Sequence, residues 1–397
     1  MRIALVNPFF ASPSTAGSVR MWEMVTHFAA RHDVVLVTSN IEYRTGKPLP
    51  DELTHDYDSV DGVTVLFVPM IMSGKHPVKR AIREIAFACG TSRFLRSHSD
   101  SIDCAIISSP PLFAMYCIAA AKSVGIPTIL EIRDPWPDAI AAQGISLPSP
   151  AIGMLRRIEL LGLRDADYCV ALTAGIESMI TDRTSVPVTT ITNMAPCVAR
   201  ELPRRSDPSS MKVVFAGSIG VGDGFPQYFA PVLSSLRGHD RIQVLIYGDG
   251  PSLSCLEEHV RDHPNAAYRG SVPRTDLQDR LRECNVGVMY THPGLYSRIG
   301  LYNKFIDYLA AGLPVVLAGA DDGVMPSIIR EYDCGAVVSH ENPEEMVRKL
   351  EEFSTNPSRT AVQGTNALSA ARQLFDRDVV MGQYDSVIAK VTGSGLI

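Results

Sequence analysis

The chain has 397 residues, more than one ordinary hydrophobic core accommodates, so two domains are expected. Its apolar share of 46% and charged share of 20% are those of a folded globular protein, not of a disordered one. The net formal charge of −6 excludes a general nucleic-acid binder, which needs a basic field against the phosphate backbone.

The opening run Ile3-Ala4-Leu5-Val6 is too short for a signal peptide and reads as a first strand over 2–6. Further β-branched runs predict strands near 33–38, 63–68, 103–108, 127–131, 167–171 and 188–192, with helices near 18–31, 77–97, 112–124, 150–165 and 174–182. This alternation is that of a parallel sheet covered by helices on both faces. From Met194-Ala195-Pro196 to Ser210 the chain is polar, proline-bearing and aperiodic, which marks a linker at 194–210. The alternation then restarts, with strands near 212–216, 243–247, 267–269, 286–290, 314–318 and 336–338. Residues 341–391 read as two or three helices. The fold class is therefore α/β, with Rossmann-like domains over 1–193 and 211–375 and a last helical segment over 376–397.

The eight cysteines show no Cys-x-x-Cys pair and no metal-ligand spacing, so small buried thiols in a reducing compartment are expected. No apolar run reaches the roughly eighteen residues that span a bilayer, so membrane contact is expected to be peripheral.

Ligands of open α/β sheets bind at the carboxyl ends of the strands, where helix N-termini favour anions. Two loops sit there. The first, Asn7 to Ser18, offers Gly17 for close approach of a phosphate or sugar. The second, Gly217-Ser218-Ile219-Gly220-Val221-Gly222-Asp223-Gly224, follows a strand directly, and its four glycines are a stronger phosphate-cradle signal. Their order differs from the dinucleotide fingerprint, which argues against a nicotinamide enzyme. A helix is expected from Gly300-Leu301 to Gly312, feeding a buried strand after Pro314. Lys304 and Asp307, three apart, share one face of it and suit an anion and a pair of hydroxyls. A surface ion pair between the two is the simpler alternative.

The run Asn303-Lys304-Phe305-Ile306-Asp307-Tyr308-Leu309-Ala310-Ala311-Gly312-Leu313-Pro314-Val315-Val316 resembles the donor-site helix of retaining GT-B glycosyltransferases of family 4, the bacterial surface-polysaccharide type above all. Ile107 to Phe113 and Leu130 to Asp138 are similar to the same subgroup, and the resemblance spans nearly the whole chain. It implies a GT-B fold, two facing Rossmann-like domains, the first for the acceptor and the second for the donor, with the last helix crossing back onto the first. It implies transfer of a sugar from a nucleotide-diphosphate sugar, UDP-sugar favoured, to a lipid-linked or polysaccharide acceptor with retention of configuration. No metal and no cofactor are implied, the nucleotide sugar being a substrate.

Carried over by position, the resemblance puts Asp307 on the ribose, Gly217, Ser218 and Gly220 on the donor phosphates, and Gly248 and Val272 in loops around the nucleobase. Arg298, Gly300, Leu301, Tyr302 and Asn303 lead into the donor helix, where Lys304 balances the leaving diphosphate. Arg133 and Asp134 stand where relatives face the reaction centre, Trp136 shapes the acceptor wall, and Asn193 marks the domain junction. Two departures stand out. The acid expected eight residues before Asp307 is Ile299, and the cations expected after the phosphate-loop glycines are replaced by Ser218 and the residues around Asp223. A nucleotide-sugar epimerase on the same fold and a non-catalytic nucleotide-sugar-binding protein are the competing readings.

Between Gly74 and His98, Lys75, Lys79, Arg80, Arg83, Arg93 and Arg96 face one acid, Glu84. A helix here is expected to turn this basic face, Lys79, Arg80 and Arg83 foremost, towards an anionic membrane and its apolar face, with Ile82 and Ile85, towards its own domain. A cytoplasmic protein working at the inner face of the membrane follows.

Overall fold

The computed structural model describes residues 1–10, 20–41, 48, 62–70, 77–142, 147–195, 198, 199 and 210–394. The chain divides into two compact units: Met1–Thr192 with Val380–Ile397, and Asn193–Val379.

The first unit is built on seven parallel strands, β1 (Arg2–Val6), β2 (Asp33–Ser39), β3 (Val63–Val68), β4 (Cys104–Ser109), β5 (Thr128–Ile132), β6 (Tyr168–Ala171) and β7 (Val188–Thr190). Their order is β3-β2-β1-β4-β5-β6-β7, so the strand sequence reverses between β1 and β4. Ile3 to Val6 and Cys104 to Ile107 are fully buried, as expected of central strands covered on both faces. Burial pushes the thiols of Cys104, Cys117 and Cys169 up to about 12, which leaves them protonated and unreactive.

The second unit repeats the plan with six parallel strands: β8 (Met211–Ser218), β9 (Ile242–Asp249), β10 (Ala266–Tyr268), β11 (Val286–Tyr290), β12 (Val315–Gly319) and β13 (Gly335–Ser339). The order β10-β9-β8-β11-β12-β13 places its reversal between β8 and β11. Phe215, Phe225 and Phe229 pack edge to face and stacked on one side of this sheet, with ring centroids 4.9–5.4 Å apart. The helix Asn303–Ala310 covers the other side together with Ala367, Ala370 and Ala371 of the helix Pro357–Leu374. Small residues at helical spacing let the two helices approach closely.

The last helix, Arg377–Thr392, returns the chain to the first unit. Val380, Met381, Tyr384, Val387 and Ile388 recur at helical spacing and form its buried stripe. Tyr384 meets Phe28 edge-on at 6.4 Å, and Asp385 accepts from His27 at 3.0 Å.

Candidate functional site

In the second unit, the carboxyl ends of β8 and β9 are joined through their loops. Gly248 has φ +136°, and a Cβ there would lie 1.8 Å from the Gly217 carbonyl oxygen, so only glycine lets the loops touch backbone to backbone. Ile219 N–H donates to the Asp249 carbonyl at 3.0 Å and Ser252 N–H to that of Ile219 at 2.9 Å. Gly248 N–H in turn donates to Gly270 at 3.0 Å, and the Tyr268 hydroxyl to the Gly248 carbonyl at 2.9 Å. The glycines read from sequence as a ligand cradle thus also hold three loop ends together.

Lys304 lies against this loop. A Cβ on Gly217 would meet its Cε and Nζ at 3.0 Å, and Nζ stands 4.9 Å over the Phe215 ring. Its ion-pair partner is Asp223, at 2.5 Å, and not Asp307 as the simpler alternative had it. Asp307 is buried one turn further along the helix. Its neighbour Tyr308 fills the space left by Gly287 on β11, where a Cβ would lie 2.5 Å from the ring, and accepts the Ala216 N–H at 2.7 Å. Burial pushes the Tyr308 phenol far up, so it remains a neutral strut between β8 and the helix. Asn303 accepts from Asn193 Nδ2 at 3.0 Å.

The other donor candidates spread out. The Leu301 side chain belongs to the hydrophobic core, and Tyr302 and Val272 pack against it, which leaves chiefly their backbone for a ligand. Gly300 closes the short helix Leu295–Ile299 with its N–H on Tyr296 at 3.0 Å. Arg298 pairs with Asp322 at 3.2 Å, both largely exposed. Ile299, in place of the expected acid, is buried. Gly17 lies outside the described residues.

In the first unit, the ends of β4 and β5 converge on a buried carboxylate that the sequence reading passed over. Glu131 accepts from Arg20 Nε at 2.8 Å, from the Ser108 hydroxyl at 2.5 Å and from the Tyr384 hydroxyl. Arg20 also donates to the carbonyls of Ile191 and Thr192 and to Tyr384. Burial opposes ionisation of Glu131, but Arg20, Arg133 and the two hydroxyl donors outweigh it and hold the carboxyl at about 2. Both ions are tolerated inside because they pair with each other and share further hydrogen bonds with Ser108, Tyr384 and the carbonyls of Ile191 and Thr192.

Arg133 follows directly, its N–H on the Ser109 carbonyl at 2.8 Å; among the described residues its buried Nε has no hydrogen-bond partner. The carbonyl of Asp134 accepts from the Trp136 N–H at 3.0 Å. The Trp136 ring carries the Arg80 guanidinium 5.2 Å above it, and Arg80 Nε donates to Glu84 at 2.8 Å.

This corrects the expected orientation of the helix Pro77–Ser97. Arg83 and Glu84 are buried and Arg80 is engaged by Trp136 and Glu84, whereas Ile82 and Ile85 are 47% and 40% exposed. Lys79, Arg93 and Arg96 are the described basic residues of this helix that face outward. Arg93 and Arg96 line a groove of about 650 Å³ with Ser92, Ser97 and Tyr116. Lys75 lies outside the described residues.

Comparison with known proteins follows the same division. Residues 15–193 match the family described as Glycosyl transferase 4-like domain, and residues 210–356 match Glycosyl transferases group 1. The chain is a glycosyltransferase of the GT-B fold. It is 24% identical over 355 residues to a GDP-mannose-dependent alpha-mannosyltransferase of Mycobacterium tuberculosis (strain CDC 1551 / Oshkosh), covering 84% of each chain. The fold is that of sucrose-phosphate synthase from Thermosynechococcus elongatus, with TM-score 0.70 and 11% identity over 99% of this chain and 100% of the other. Anabaena HepE, solved in complex with UDP, is equally similar, with TM-score 0.70 and 12% identity over 98% and 100%. These matches favour glycosyl transfer over the epimerase and the non-catalytic readings.

Proposed function

We propose that this glycosyltransferase moves a sugar from a nucleoside-diphosphate sugar to a glycan or lipid-linked acceptor with retention of configuration, as in bacterial surface-polysaccharide synthesis. The observation that carries the donor half is the seating of Lys304 against the Gly217 loop at the strand-order reversal of the second sheet. In this reading Gly217, Ser218 and Gly220 receive the diphosphate, Gly248 and Val272 border the base, and Asp307 accepts hydrogen bonds from the ribose. Residues Arg298 to Asn303 lead the chain into that helix. The hard step is expelling a charged diphosphate while positive charge develops on the sugar, and Lys304 supplies electrostatic stabilisation there. Arg133 and Asp134 serve the reaction centre, Trp136 shapes the acceptor wall, and Gly17 takes part in donor binding.

UDP-sugar is the favoured donor, supported by the UDP complex of HepE; GDP-mannose is the second reading, supported by the name of the mycobacterial relative. The protein works on the cytoplasmic side, in peripheral contact with an anionic membrane through the outward face of the helix Pro77–Ser97. Among the described residues no helix is long and apolar enough to cross a membrane.

A thermal-shift screen with uridine and guanosine diphosphates and their sugars tests the donor. A ligand at one hundred times its dissociation constant adds about 2.7 kcal/mol to stability. Product analysis with the stabilising donor and a lipid-linked acceptor then reads transfer and anomeric outcome. Absence of stabilisation by every nucleotide would overturn the proposal.

A further inference from the structure

Asp223 is an acid at a place where the donor reading calls for cations. It ends the single turn Val221–Asp223 that follows the Gly217–Gly220 loop. That turn is tightly fixed. Asp223 and Phe225 N–H both donate to the Gly220 carbonyl at 3.0 Å, and Gln227 Nε2 donates to the Val221 carbonyl at 2.5 Å. Gly224 has φ +90°, and a Cβ there would come within 2.8 Å of the Tyr290 ring, so the turn is pressed onto the end of β11. The carboxylate is therefore not a mobile surface group. It reaches Lys304 Nζ at 2.5 Å, with only 20% of its side chain and 12% of that of Lys304 exposed.

Two opposite charges this close present to a third charge the weaker field of a dipole in place of that of a full cation. A diphosphate brought to Lys304 meets attraction from the ammonium and repulsion from Asp223, whose carboxylate lies 2.5 Å from Nζ. To engage Lys304 fully it must displace the carboxylate from Nζ or share the ammonium with it. Lys304 itself cannot move away readily, being held over Phe215 and against Gly217.

We propose that Asp223 is a built-in competitor for the diphosphate of the donor, a specificity-determining residue that offsets Lys304 and keeps nucleoside-diphosphate affinity low. The inference rests on the donor reading above. Its functional consequence is that the diphosphate product, which carries more charge than the sugar-bearing donor, is retained less firmly than an unopposed lysine would retain it.

The test is calorimetric titration of UDP and GDP, with uridine and guanosine as uncharged probes, into the parent, Asp223→Asn, Lys304→Met and the double variant. Asp223→Asn is expected to bind the diphosphate about tenfold more tightly, as removal of a like charge predicts, and the nucleoside as the parent does. The gain is expected to shrink in the Lys304→Met background, since part of it is release of the ammonium. Asp223→Ser serves the same purpose should the asparagine variant fail to fold. A parent that binds diphosphate and an Asp223 variant that binds it no better, or a gain of equal size with and without Lys304, would overturn the competitor. A parent that binds neither diphosphate overturns the donor reading itself, and the competitor with it.

Discussion

The hydroxyl of Tyr384 donates to the carboxylate of Glu131 across 253 positions of sequence, and receives Arg20 on its other side. Tyr384→Phe keeps the ring against Phe28 but removes that link, leaving Arg20 and Glu131 to each other. Loss of a buried, charge-assisted hydrogen bond costs about 1–3 kcal/mol. Scanning calorimetry should therefore show the transition of the first unit lowered by several degrees. An unchanged transition would mean that the hydroxyl contributes nothing.

Two carboxylates of the first unit should give opposite pH dependences. Glu131 is held at about 2, below its ordinary 4.5, so its stabilisation is complete above pH 4.5 and is lost as pH falls towards 2. Glu159 is pushed up to about 7, chiefly by burial and further by Asp138, although Arg183 donates to it at 2.7 Å. Burial prevails because Arg183 is shared with Asp138. Glu159 therefore lowers stability as pH rises from 4.5 to 7. Urea midpoints measured against pH should flatten over that window in Glu159→Gln, while Glu131→Gln should lose the acid limb below pH 4.5.

Asp307 and Lys304 should separate binding from chemistry. Asp307→Ala is expected to weaken nucleoside-diphosphate binding by about 1.5–3 kcal/mol, the value of hydrogen bonds to a charged group, read by calorimetry on a folded variant. Lys304→Met should lower turnover by about 10- to 100-fold, more than it lowers donor affinity, because the diphosphate charge develops as the sugar leaves. A raised Michaelis constant at unchanged turnover would assign Lys304 to uniform binding instead.

Vesicle sedimentation should follow the outward face of the helix Pro77–Ser97. Replacing Ile82 and Ile85 with serine, or Arg93 and Arg96 with alanine, is expected to weaken salt-sensitive binding to anionic vesicles, each basic residue contributing about 1 kcal/mol near such a surface. Arg83→Ala should instead lower stability, since that side chain is buried. Binding that is absent, or that is equal on neutral and anionic vesicles, would remove the membrane from the reading.

The two-sheet architecture was legible because central parallel strands leave nearly unbroken apolar runs, such as Ile3 to Val6 and Val34 to Val37. The last helix was legible as a helix from its apolar spacing. What periodicity misreads is the buried charge. Arg20, Arg83 and Glu131 look like surface residues to any pattern that sorts polar from apolar, and their burial depends on partners far along the chain. The Lys304–Asp223 pair spans 81 positions, beyond the reach of any helical spacing, so an ion pair between Lys304 and Asp307 was only the simpler alternative that spacing offered and Asp223 takes its place. Ile82 and Ile85 were assigned inward for the same reason, because apolar character alone decided their side.

The return of the last helix also sets an order of assembly. Residues Asn193–Val379 are one continuous stretch, and that unit holds all of its own parts as soon as it has been synthesised. The unit translated first does not. It waits for the stretch from Val380 onward, translated after the whole of the second unit, before Tyr384 can reach Arg20 and Glu131. A ribosome therefore delivers every residue of the second unit before the last residues of the first, and a chain that stops before Tyr384 leaves Arg20 and Glu131 without that hydroxyl.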